Sequence, residues 1–132
     1  LASCDANLLV VGNSESPMFP QELLPFCKER VKFGAGKINV NFLVNYVWAW
    51  DLASAPQMLT REDIYKSIAS GGISRIDLVV RWGGRCRLSG FLPVQTVYSD
   101  FYTLNDLWPD YKKEHLYKAL EWYDTQDVTL GG

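Results

Sequence analysis

The stretch DLVVRWGGRCRLSG, residues 77 to 90, carries the densest chemistry in the chain. An apolar run ends in Arg81, the pair Gly83-Gly84 follows, and Arg85, Arg87 and Ser89 come next. In an open parallel sheet, ligands bind beyond the carboxyl ends of strands, and Arg81 stands at such an end. Glycines let backbone N–H groups approach a ligand closely. A helix starting around Ser89 to Gly90 would add an N-terminus that favours anions. Together these parts predict a cradle for a phosphate or a diphosphate. The same arginines could instead pair with surface carboxylates, and the pattern alone leaves both readings open. Arg75 reads as a solvated arginine. Neither G-x-G-x-x-G nor G-x-x-x-x-G-K-S/T occurs, so the anion is not held in either of those ways.

The elements that must position these residues follow from hydrophobic spacing. NLLVVG, residues 7 to 12, reads as a buried strand that ends in a loop. Pro20 opens a predicted helix with Leu23, Phe26, Cys27 and Val31 at helical spacing. Residues 38 to 48, INVNFLVNYVW, read as a strand, with Val40, Phe42, Val44 and Tyr46 on one face and asparagines on the other. TRED, residues 60 to 63, predicts a helix start with Thr60 as cap and Asp63 reaching back. Gly71-Gly72 ends that helix. Ile76 to Arg81 is a third strand. Phe91, Val94, Tyr98 and Phe101 fit a helical stripe, and Tyr102 to Leu104 a short strand. Trp108-Pro109-Asp110 is a turn. Lys112 to Asp124 is a last helix, with Leu116, Leu120 and Tyr123 inward. Apolar strands separated by helices predict an α/β fold with a mostly parallel sheet flanked by helices.

The totals agree with one domain over residues 1–132. A chain of 132 residues can bury roughly two thirds of its unfolded surface. Its 48% hydrophobic and 14% aromatic content is too high for disorder. The formal net charge of -2 excludes a general attraction for nucleic acid, so any anion site is local. Cys4, Cys27 and Cys86 form neither a disulfide framework nor a zinc knuckle, and they suggest a reducing compartment. The apolar runs are too short to span a bilayer. His115, among Lys112, Lys113 and Glu114, reads as solvated rather than catalytic. Cys86, between two arginines, reads as a bystander. The aromatic residues are either core and dimer packing or walls for an apolar tail.

Residues 76 to 111, IDLVVRWGGRCRLSGFLPVQTVYSDFYTLNDLWPDY, closely resemble the C-terminal signature of the cis-prenyltransferases, the undecaprenyl diphosphate synthase family. Upstream, INVNFLVNY resembles the family's L-N-I-A-x-N-Y strand, and NLLVVGN resembles its V-x-x-I/V-G-D strand. Leu130-Gly131-Gly132 falls where the family ends in R-x-G-G. The resemblance covers most of the chain but about the second half of a typical member. It implies that fold, incomplete at the N-terminus, and a transferase that adds isopentenyl diphosphate to an allylic diphosphate with magnesium assisting. By motif position it implies that Arg81, Arg87 and Ser89 hold isopentenyl diphosphate, with Gly83 and Gly84 in the same loop. It also implies that Asp100, in place of a glutamate, helps bind magnesium. Further expectations are a homodimer or a heterodimer with a related subunit, a cytoplasmic location, and peripheral membrane contact through a lipid product.

Departures from the family pattern qualify those roles. The family's D-G-N-x-R-W motif is absent from these residues. The threonine and glutamate of R-T-S/G-G-E are Trp82 and Arg85. The glycines of N-Y-G-G-R are Val47 and Trp48, and the terminal arginine is Thr129. A non-catalytic accessory subunit, and a diphosphate-binding module without catalysis or magnesium dependence, are therefore the alternatives to a full enzyme.

Overall fold

A computed structural model describes residues 4–55 and 60–127. The expectations placed on Thr129 to Gly132 lie outside the described residues. The chain forms two compact units, Leu1–Ile73 and Ser74–Gly132.

In the first unit, strand β1 (Ala6–Val11) is central, between β2 (Val31–Lys32) and β3 (Ile38–Leu43). β1 runs parallel to β3, in register from Ala6↔Ile38 to Val11↔Leu43, and antiparallel to β2. Strand periodicity sorts its side chains. Leu8 and Val10 are buried with Phe19, and Leu23, Phe26, Phe33 and Val40 pack against them. The alternate side carries the buried Val11 and, at its start, polar groups: the Asn7 side chain donates to the Gly36 carbonyl at 2.8 Å and to Asn39 Oδ1 at 3.1 Å.

The predicted helix from Pro20 to Val31 is only a 3₁₀ segment, Gln21–Phe26. Pro25 lies inside it and supplies no N–H, so an α-helix cannot continue. Val31 instead joins β2. The strand predicted to reach Trp48 stops at Leu43. Asn45 turns left-handed at φ 51°, and α1 (Trp48–Ala53) begins three residues later. Gly12 has no room for a side chain there, because a Cβ would lie 1.6 Å from the Val44 carbonyl oxygen. α2 (Arg61–Ser67) has the predicted capping box, with the Thr60 hydroxyl accepting from the Asp63 N–H and Asp63 accepting from the Thr60 N–H.

The second unit pairs β4 (Leu78–Trp82) with β5 (Asp100–Leu104) in parallel, from Leu78↔Asp100 to Trp82↔Leu104. The α-helix predicted for Ser89 to Phe101 is absent, and Phe101 belongs to β5. Ser89, Gly90 and Leu92 all have positive φ, and Pro93 follows, so residues 89–98 form successive turns and bends. A 3₁₀ turn at Trp108–Asp110 leads to α3 (Lys113–Tyr123). Its inward face differs from the expected one. His115 and Ala119 are buried, while Leu116 and Leu120 are 40% and 45% exposed. Among the described residues, no helix is long and apolar enough to cross a membrane.

Candidate functional site

Arg81 is the fourth residue of β4, opposite Thr103 of β5. Alternation along the strand puts its side chain on the same face as that of Val79. The chain then turns at Gly83 (φ 87°) and Gly84 (φ 64°), a conformation glycine adopts at no steric cost. The Gly83 N–H donates to the Asp106 carbonyl at 2.9 Å, and the Gly84 N–H to the Leu104 carbonyl at 2.7 Å. The glycine pair therefore closes the turn onto the end of β5. Its N–H groups are engaged within the protein, whereas the sequence led to the expectation that they approach a ligand.

The loop folds back so that residues 87–89 meet Arg81. Arg81 Nη1 donates to the Arg87 carbonyl and to Ser89 Oγ, the latter at 3.2 Å. Ser89 makes this contact from a left-handed backbone, φ 52°. A cavity of about 310 Å³ lies here. Arg81, Arg87 and Ser89 line its polar side, and Val79, Val80, Leu88 and Phe91 the rest. A small amphipathic anion suits such a lining: guanidinium and hydroxyl donors for the charge, branched and aromatic walls for a short hydrocarbon. The helix N-terminus expected at Ser89 contributes nothing, since that helix does not form.

Arg85 and Cys86 are exposed on the loop and do not line the cavity. Arg75 is paired with Asp77 at 2.8 Å rather than solvated alone. Asp100 opens β5 opposite Leu78, three positions before the Arg81–Thr103 pair. At about 3.3 Å per residue this is on the order of 10 Å along the strands. The structure brings Arg81, Arg87 and Ser89 together and leaves Asp100 outside the lining. Magnesium normally takes one or two carboxylates beside phosphate oxygens and water. Among the described residues no three His, Cys, Asp or Glu side chains are grouped to hold a metal ion. The residues around the cavity do not fit a magnesium site.

Two polar arrangements escaped the sequence reading. Trp82 Nε1–H donates to His115 Nδ1 at 3.2 Å, and His115 Nε2 faces Asp106 at 3.9 Å. Trp108 meets Trp82 edge-on, ring centres 4.8 Å apart. His115 is thus buried beneath the Gly83–Gly84 turn, not solvated. Its signal was the i, i+4, i+7 spacing of His115, Ala119 and Trp122. In the first unit, Asp51 is fully buried and accepts from Ser70 N–H (2.7 Å), Ser70 Oγ–H (2.6 Å) and Tyr46 O–H (2.7 Å). It closes the segment after α2 against α1.

The family described as "Putative undecaprenyl diphosphate synthase" matches residues 1–131. An isoprenyl transferase of Streptococcus mutans is 29% identical over 97% of this chain and 59% of its own length. A geranylgeranyl-diphosphate-specific tritrans,polycis-undecaprenyl-diphosphate synthase of Aeropyrum pernix is 41% identical over 50% of this chain and 30% of its own. The crystal structure of a "probable undecaprenyl diphosphate synthase" from Campylobacter jejuni superposes with a TM-score of 0.73 at 18% identity. That match covers 97% of this chain and 64% of the other. The chain thus spans about 59% of the length of the Streptococcus relative it matches.

Proposed function

The chain belongs to the undecaprenyl diphosphate synthase family of prenyltransferases, and on that premise we propose that the cavity beside β4 holds isopentenyl diphosphate for addition to an allylic diphosphate. The supporting observation is the convergence of Arg81, Arg87 and Ser89 on one cavity whose remaining walls are apolar. Arg81 and Arg87 neutralise the diphosphate, and the Ser89 hydroxyl donates to it. Val79, Val80, Leu88 and Phe91 receive the five-carbon tail.

The same reading includes a lipid product, hence contact with a membrane surface, and a paired subunit. The exposed Leu116, Leu120 and Trp108 (64% exposed) offer the apolar surface that pairing would cover.

Calorimetric titration with isopentenyl diphosphate tests the site. Arg81→Ala removes charge-assisted hydrogen bonds, which contribute about 1.5–3 kcal/mol. Affinity should therefore fall roughly ten- to a hundredfold. Unchanged affinity in a folded Arg81→Ala variant would discard the assignment.

A further inference from the structure

We infer that this cavity binds its diphosphate without a divalent cation, with Arg81, Arg85 and Arg87 supplying the whole counter-charge. The inference rests on the site reading above and concerns how that site neutralises its ligand.

The donor set carries it. No residue lining the cavity has a carboxylate. The acids nearest in the fold are otherwise placed. Asp77 is bound by Arg75, whose Nε and Nη2 both reach Asp77 Oδ1, at 3.0 and 2.8 Å. Asp106 faces His115. Asp100 opens β5 three positions from the Arg81 pair. A metal ion brought in on the ligand would therefore find no hard oxygen ligand in the lining beyond the Ser89 hydroxyl and backbone carbonyls. Magnesium dehydrates reluctantly and favours carboxylate and phosphate oxygens.

Charge works in the same direction. Three guanidinium groups fall within seven consecutive residues, 81 to 87. Two linked phosphates carry a comparable negative charge, so the arginines alone can balance them. A divalent cation beside fixed positive charges meets repulsion instead of stabilisation. Arginine also matches phosphate oxygens geometrically, through two parallel N–H donors. Arg85 is exposed on the loop and acts at longer range, drawing the anion in.

The test is calorimetric titration of the full chain with inorganic diphosphate and with isopentenyl diphosphate, each in EDTA and in excess magnesium. Affinity in EDTA should equal or exceed that in magnesium, because magnesium also sequesters free diphosphate in solution. Affinity at least tenfold weaker in EDTA would overturn the inference while leaving the site standing. Absence of binding in both buffers would instead remove the site itself, and the inference with it. Arg85→Glu should weaken binding in EDTA and introduce a gain on adding magnesium. Arg85→Gln should weaken it without that gain. Both variants behaving as the parent chain would exclude Arg85 from the counter-charge and overturn the inference as stated.

Discussion

One indole N–H decides the state of the only histidine. Trp82 donates to His115 Nδ1, so in the neutral ring the proton sits on Nε2, toward Asp106. The backbone of Asp106 in turn accepts from Gly83, in the turn that follows Arg81. His115→Phe keeps the ring but strands the Trp82 donor, which should cost about 1–3 kcal/mol. Urea unfolding would measure it. His115→Gln, which restores an acceptor, should recover part of the loss; equal losses for the two would assign the effect to packing alone. The sequence concealed this residue because Lys112, Lys113 and Glu114 around it are all solvated types. By contrast, Arg81, Arg87 and Ser89 were legible. A charged residue ending an apolar strand is costly unless it has a partner, and the glycine turn directs the chain back to provide one.

At the level of elements, strands and the capped helix were readable, and segments governed by proline and left-handed residues were not. β1 and β4 follow from short apolar runs, the 102–104 segment of β5 was expected as a short strand, and α2 follows from Thr60 and Asp63. Hydrophobic spacing around Phe91 to Phe101 mimics a helix, yet positive φ at Ser89, Gly90 and Leu92 breaks it into turns. Spacing reports which side chains face inward and says little about the backbone between them. Loop chemistry at the entry to β1 gives a second measurable effect. Asp5 accepts from the Ala35 N–H at 2.9 Å and pairs with Lys37 at 3.2 Å. The backbone hydrogen bond first, and Lys37 second, hold its carboxyl below the ordinary carboxylate range. A lowered folded-state pKa contributes stability above the unfolded pKa and loses it as pH falls through the folded one. Asp5→Asn should therefore lower the melting temperature at neutral pH and leave it nearly unchanged in strong acid. A shift of equal size at both pH values would show that ionisation of Asp5 is not the source.

For the molecule as a whole, a net charge of -2 coexists with one basic loop. The surface field is weak, and attraction is confined to the few ångströms around the arginines. Fluorescence anisotropy should detect no binding of a short DNA duplex at physiological salt, while diphosphate binding weakens steadily as salt is added. DNA retention would mean that the basic loop extends into a larger patch. The parallel pairing of β1 with β3 has a further consequence. Asn7 and Asn39, paired across the two strands, are 32 residues apart. At about 5–20 residues per second, a ribosome needs roughly 2–6 s to deliver the second strand after the first. For that interval the nascent LLVV segment has no partner along its carboxyl end. Newly made chains pass through a sticky stage, and their yield in a cell depends on how well neighbouring copies are kept apart while it lasts.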